Sequence, residues 1–411
     1  METPFRIEPT LLDEIPAQIA DLIAELATAT AKLESALAPQ TARSLVEMVR
    51  IMNTYYSNLI EGNVTMPRDI ELALQQGVPS ASPAPSTAQI ELALSRRSAS
   101  GSDLLTEAVA HVRVQREIDE LAAREGLPEP ASIDFIQWLH RSFYDDASDA
   151  MLTISGANRS FRMTPGEWRR SKEQDVTVGR HLPPSSDSVP MFMAYFSEKY
   201  IFQKMGKATA IHTLAAAHHR FNYIHPFPDG NGRVSRLMSH AMAHKAGIGA
   251  HGLWSISRGL ARGIKSRSDY KLMMELADRE RQGDLDGRGN LSLSALLEFT
   301  RWFLEVCLDQ VNFMASLFDL RRLDDRLSQC AMLLGLKAEG ARLLKEALVR
   351  GSFDRGEASR ITGLPDRSAR RVLAKVIDAG LLQSKSAKGP VFLKFPMTYQ
   401  DQLFPLLFLA S

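Results

Sequence analysis

The chain has 411 residues, with 49 Lys+Arg against 48 Asp+Glu and 45% hydrophobic residues. That length supports two or three domains with ample core, and the near-zero charge excludes a whole-molecule field that would drive it onto nucleic acid or membrane. Two cysteines without metal spacing, Cys307 and Cys330, no basic apolar leader and no apolar run of about 18 residues point to the cytoplasm, with no membrane partner.

In chain order, residues 11–36 and 41–60 alternate at helical period and predict a helical pair. Ser57 and Glu61 lie four apart at the end of the second helix, which Gly62 can close with a left-handed cap. Residues 77–102 are rich in Pro, Ser and Ala and read as linker or loop, with a short helix expected at 90–94. Helices resume over 104–124 and 133–144. Val176-Thr177-Val178 is a short β-branched run that the double proline Pro183-Pro184 ends, and it predicts a strand of a hairpin. Helices follow over 191–199 and 208–223.

His225-Pro226-Phe227-Pro228-Asp229-Gly230-Asn231-Gly232-Arg233-Val234-Ser235-Arg236 is the most informative stretch. The two prolines keep it out of helix, so His225 ends the apolar helix before it. Gly230-Asn231-Gly232 reaches positive φ readily and lets backbone N–H groups converge on an anion, as does the N-terminus of the helix predicted over 233–246. Arg233 and Arg236 share one face of that helix's first turn, where the macrodipole disfavours cations by up to about 1 kcal/mol each. Guanidinium groups placed there make sense against a polyphosphate or carboxylate. Asp229 offers an oxygen suited to Mg²⁺, and His225 is the one side chain of the turn suited to general-base work near neutral pH.

This string matches every fixed position of His-x-Phe-x-(Asp/Glu)-Gly-Asn-Gly-Arg-x-x-Arg, and by it the chain resembles the Fic (Fido) family. The resemblance implies a mainly α fold, a helical Fic core with a short β-hairpin flap, and an enzyme that transfers AMP from ATP to a hydroxyl of a target protein. His225 would deprotonate the Ser, Thr or Tyr hydroxyl, and Asp229 would hold Mg²⁺ on the α- and β-phosphates. Gly230, Asn231 and Gly232 would cradle the phosphates, Arg233 and Arg236 would meet their charge, and Phe227 would anchor the loop. Such transfer rests mostly on positioning and charge stabilisation. Gly232 also separates the chain from the Doc kinase toxins, which resemble it but carry Lys there.

Residues 57–63 are similar to the family's inhibitory sequence, (Ser/Thr)-x-x-x-Glu-(Gly/Asn), in the N-terminal arrangement called class II. The resemblance implies that Glu61 pairs with Arg236 in the place of the γ-phosphate. In some members the same glutamate positions water for AMP removal, which leaves a bifunctional enzyme open. Residues 160–162 through 176–184 resemble the flap, whose edge would receive the target segment by strand addition at Val176, Thr177 and Val178. The resemblance covers residues 45–325.

His240 and His244 are four apart on a helix, a spacing that can bind zinc, but the sequence offers no evident third ligand and packing is the expected role. Asp284-Leu285-Asp286-Gly287 lacks the remaining ligands of a calcium loop and reads as a turn. Residues 291–320 read as one or two helices closing the core. Beyond them, helix, helix, tight Gly363 turn, helix and short hairpin is the plan of a winged helix-turn-helix. Residues 340–395 carry twelve basic and five acidic side chains, 12 − 5 = +7, with Arg367, Arg370 and Arg371 along the third helix. That excess suits phosphate contact. The expected division is a helical region with inhibitory helix and linker over 1–103, a catalytic core over 104–330, and a winged-helix domain over 335–400. The expected ligands are ATP and Mg²⁺, and the partners a target protein and, through the last domain, DNA; a homodimer stays open. The competing reading is a DNA-binding transcriptional regulator with a nucleotide-sensing core.

Overall fold

A computed structural model describes residues 2–77, 101–156 and 159–408. Of the linker expected at 77–102, residues 78–100, with the short helix, lie outside the described residues, and 101–102 open a helix. The protein is mainly α-helical, and its helices follow the apolar periodicity closely. Helices α1 (Ala17–Ser35) and α2 (Pro39–Ile60) form the N-terminal pair, and Gly62 takes φ +83° just past α2. α3 (Pro67–Gln76) and α4 (Gly101–Ala123) follow, then α5 (Ile133–Phe143), whose start Ser132 caps by accepting from Phe135 N at 3.3 Å. That bond satisfies one of the donors a helix N-terminus leaves open.

After the one-turn α6 (Asp149–Leu152), strands β1 (Thr153–Gly156) and β2 (Arg159–Arg162) pair antiparallel, Thr153 facing Arg162. The strand expected at Val176–Val178 does not form. Val178 makes one bridge, exchanging backbone hydrogen bonds with His181 at 3.0 and 2.9 Å, while Val176 and Thr177 stay irregular. Two prolines close behind leave no room for a longer ladder. The regular hairpin sits upstream instead.

Two helices then form the centre of their unit. α8 (Lys207–Ile224) follows α7 (Val189–Lys199), and α9 (Asn231–Lys245) packs against α8. Both are buried along most of their length. Ala215, Ala216 and Ala217 bring the α8 backbone close to its neighbours, and Leu214, Phe221, Leu237 and Met238 fill the space between. Both helices also bury polar side chains, among them His218, His219 and Arg220 of α8 and Ser235, Arg236 and Ser239 of α9. α4 and α5 pack on α9, and α10 (Ile256–Arg262), α11 (Asp269–Ala277) and α12 (Leu293–Leu317) complete the helical order.

The rest is α13 (Leu320–Leu333), α14 (Lys337–Arg350), α15 (Ala358–Thr362), α16 (Asp366–Asp378), the antiparallel pair β3 (Leu382–Gln383) and β4 (Phe392–Leu393), and α17 (Gln400–Leu403). Gly363 turns the chain between α15 and α16 with φ +73°. Leu343, Leu344, Leu348, Leu373, Val376 and Val391 are buried among these elements.

The chain divides into two compact units, each discontinuous in sequence. One comprises residues 1–28, 53–249 and 255–310; the other comprises 29–52, 250–254 and 311–411. This division cuts across the segments 1–103, 104–330 and 335–400 expected from sequence. Within the second unit Thr41 Oγ1 donates to Leu348 O at 2.9 Å, a bond across 307 positions that composition does not signal. None of the helices among the described residues is long and apolar enough to cross a membrane.

Candidate active site

The turn between α8 and α9 is set by backbone first. His225 caps α8 in the left-handed region, φ +50° and ψ +59°, and its N–H donates to Phe221 O at 2.9 Å. A non-glycine residue there is uncommon and needs support from its surroundings. Arg169 supplies it. This guanidinium, 1% exposed, donates from Nε to His225 O at 2.9 Å and from its terminal nitrogens to Pro184 O, Ile224 O and the Asp175 carboxylate. The backbone N–H of Arg169 also donates to Pro226 O at 2.9 Å. No motif marked this residue.

Phe227 is fully buried and stacks on His140, with ring centroids 3.8 Å apart, and packs against Trp168 at 4.6 Å. Asn231 ties the loop from inside: its Oδ1 accepts from Phe227 N at 2.9 Å and its Nδ2 donates to Phe227 O at 2.8 Å. The side chain of Asn231 is therefore a loop clamp, and what it offers an anion is its backbone N–H. α9 starts at Asn231, two residues before the sequence pattern suggested, because Gly230 in the left-handed region (φ +79°) turns the chain into it.

His225 Nδ1 lies 3.3 Å from Asn222 O, so the ring proton sits on Nδ1 and Nε2 keeps its lone pair. Burial, and then the Arg169 guanidinium, lower its pKa to about 4, so the imidazole is neutral at physiological pH. Asp229 accepts from Tyr144 Oη at 3.3 Å, and its backbone oxygen accepts from His140 Nε2 at 3.2 Å. A Cβ on residue 230 would lie 2.8 Å from Tyr144 Oη, so this approach of ring and loop requires glycine.

The two arginines are buried and held differently. Arg233 NH1 donates to Tyr144 Oη at 3.2 Å, and NH2 stands 3.0 Å from Glu107 Oε2 of α4, an ion pair without hydrogen-bond alignment. Burial raises the Glu107 pKa despite that guanidinium. Arg236 Nε donates to Ser57 Oγ at 3.0 Å, and its NH2 donates to Ser57 O at 3.1 Å and to Glu61 Oε1 at 2.7 Å. The Glu61 carboxylate lies over Gly232, where a Cβ would collide with it. Burial pushes the Glu61 pKa up, yet Arg236 and Arg233 outweigh it and hold the carboxyl below its ordinary value.

The sequence-predicted residues His225, Asp229, Gly230, Asn231, Gly232, Arg233, Arg236, Ser57 and Glu61 thus meet around one space. Val176 and Thr177 make no strand there, but the Val178 bridge stands near it, since His181 Nε2 donates to Tyr223 O at 2.7 Å at the end of α8. Glu107, His140, Tyr144 and Arg169 were missed. The spacings His140–Tyr144 and Glu107–His111, one helical turn each, were the only sequence trace of them.

The donor set suits a magnesium-bound triphosphate on two observations. Arg233 Nε is buried with no hydrogen-bond partner, and Asp229 is a hard oxygen donor in the same turn.

Known proteins place this turn. The Fic/DOC family profile matches residues 130–243, which hold the whole turn, α8 and all but the last two residues of α9. The chain carries a Fic/DOC family domain. The chain is 35% identical over 82 residues to the protein adenylyltransferase Fic of Drosophila mojavensis and 40% identical over 85 residues to that of Aedes aegypti. Each match covers 20% of this chain and only 16% of the relative, so the chain spans about a sixth of those proteins' length. A Fic family protein of Desulfovibrio desulfuricans G20 has a similar fold, with a TM-score of 0.51 at 16% identity, over 93% of this chain and 98% of that one.

Proposed function

We propose that this Fic protein transfers AMP from ATP to a Ser, Thr or Tyr hydroxyl of a target protein, and that Glu61 restrains it. The observation carrying this reading is the 2.7 Å pair between Glu61 and Arg236 above Gly232, inside a turn that also holds a neutral histidine. His225 Nε2 takes the proton of the incoming hydroxyl as its oxygen bonds to the α-phosphorus. The bond from that phosphorus to the β-bridging oxygen breaks, and pyrophosphate leaves. Arg233 and Arg236 meet the charge that builds on the departing phosphates, and backbone N–H groups from Gly230 to Arg233 face the same anion. Asp229 would hold Mg²⁺, which neutralises phosphate charge when bound.

In the restrained state Glu61 occupies both the guanidinium of Arg236 and the space above Gly232, so a triphosphate meets a carboxylate where its own charge should sit. Glu61→Gly removes that carboxylate. Intact mass spectrometry after incubation with ATP and Mg²⁺ tests the reading: an adduct of AMP mass on the variant or on a lysate protein is expected, and its absence from both refutes it.

A second reading rests on α16. Arg367, Arg370 and Arg371 are exposed there and make no ion pair among the described residues, whereas Arg350 and Arg360 are taken up by Glu346 and Glu357. With the helices before it and the β3–β4 pair after it, α16 would serve as the recognition helix of a winged-helix module on duplex DNA. Salt-sensitive binding of labelled duplexes by the full chain, weakened by Arg370→Ala, is the expected result.

A further inference from the structure

The interface of α4 and α9 holds a second cluster of chemically capable side chains, starting one turn beyond Arg236. Asp119 of α4 presents one carboxylate oxygen, Oδ1, to two imidazoles of α9: His240 Nε2 lies 2.7 Å away and His244 Nε2 2.9 Å. The two rings stand with centroids 4.8 Å apart, and one ligating atom from each of the three residues falls within 4.8 Å of the others. All three side chains are 5 to 7% exposed. Gly249, after α9, makes room for this arrangement, since a Cβ there would collide with His244 Nδ1. The third residue that sequence did not reveal comes from a helix 121 positions upstream of His240.

We propose that Asp119, His240 and His244 bind one zinc-class divalent ion that fastens α4 to α9. Two imidazole nitrogens and one carboxylate oxygen form a borderline donor set that suits zinc and its transition-metal neighbours, not the all-oxygen preference of magnesium or calcium. Zinc–ligand bonds of about 2.0–2.2 Å set tetrahedral donor atoms about 3.3 Å apart. Each Nε2–Oδ1 distance therefore has to open by about half an ångström, while the two Nε2 atoms, which lie within 4.8 Å of each other, draw together to the same separation. On binding, each imidazole turns an Nε2 lone pair to the ion with its proton on Nδ1, the carboxylate supplies Oδ1, and water completes the fourth position. The cluster shares no residue with the phosphate turn, so the proposal stands apart from AMP transfer.

The test uses the full chain, stripped with a chelator, dialysed and titrated with Co²⁺, whose visible d–d absorption reports coordination geometry. One equivalent of tetrahedral Co²⁺, displaced by equimolar Zn²⁺, is expected, together with a Zn²⁺-dependent rise in melting temperature. The near-isosteric His240→Gln and Asp119→Asn should weaken uptake at least about 100-fold, the upper end of what losing even an outer-shell partner costs. Asp229→Asn should leave it unchanged. Absence of Co²⁺ and Zn²⁺ uptake by the wild type overturns the proposal, as does equal uptake by folded His240→Gln. Should both variants fail to fold, X-ray absorption of the zinc-loaded wild type decides between two imidazoles with oxygen, as expected, and sulfur or oxygen-only ligation, which overturns the assignment.

Discussion

Ser57 Oγ accepts from Arg236 Nε at 3.0 Å while Glu61 Oε1 accepts from Arg236 NH2 at 2.7 Å, so one turn of α2 and its C-terminal cap grip a single guanidinium from two sides. A hydrogen bond to a charged group contributes about 1.5–3 kcal/mol. Ser57→Ala should therefore loosen the grip without abolishing it. We expect basal AMP transfer, followed with α-labelled ATP, to rise about tenfold, from the lower end of that range. Glu61→Gly should rise further, and the double variant no further than Glu61→Gly. A double variant more active than either would show that Ser57 acts outside the Glu61 contact.

The restraint should resist acid. Glu61 has a folded-state pKa below its ordinary 4.5, because Arg236 and Arg233 outweigh burial. A depressed carboxylate pKa contributes a contact that is fully present above the ordinary value and is lost only as pH falls through the depressed one. Wild-type transfer should therefore stay low from pH 8 down to about 5, both above the ordinary carboxylate range. Activation on mild acidification alone would contradict the pairing.

The base should behave likewise. His225, with its pKa lowered to about 4, stays neutral until pH approaches that value. In the Glu61→Gly background, kcat/KM should hold through pH 5–6, where an ordinary histidine of pKa about 6.5 would already be losing its base form. His225→Ala in that background should cost about 10²–10⁴-fold in kcat with little change in ATP affinity. A matching loss of ATP binding, read by calorimetry, would reassign His225 to substrate binding.

Arg169 should prove structural and functional at once. Replacing it with Leu strands the carbonyls of His225, Ile224 and Pro184 and leaves Asp175, about one third exposed, with the Ser186 N–H but without a cation. Breaking a buried pair costs about 3–5 kcal/mol, and the exposure of Asp175 puts the expectation at the lower end. Denaturant unfolding should show the loss, and transfer by Glu61→Gly/Arg169→Leu should fall below that of Glu61→Gly. Full activity in that double variant would mean that the left-handed cap at His225 holds without its support.

The turn from His225 to Arg236 was legible in sequence because its residues are contiguous and each type stands at its own spacing. Most of the longer helices were legible because apolar residues recur in them at helical period, whereas α3, α10, α11 and α13 were not read from the sequence. What sequence hid was reach. Glu107, Tyr144 and Arg169 meet the turn across 126, 89 and 56 positions, counting to Arg233, to Arg233 and to His225 respectively. Each is an ordinary helix or loop residue until the chain folds. Asp119 is the same case, and without it two histidines one turn apart read as packing. The run Val176–Val178 erred in the other direction: β-branched residues favour a strand only when a partner segment is free to pair. Here Gly179 and Arg180 turn the chain back at once, and a single bridge to His181 is all that fits.

Gly232 has the furthest-reaching consequence. The absence of one methyl group lets the Glu61 carboxylate rest against the turn. On the proposed reading, throughput would then be set by sliding a single anionic side chain in or out, and whatever pulls on the end of α2 would act as the throttle.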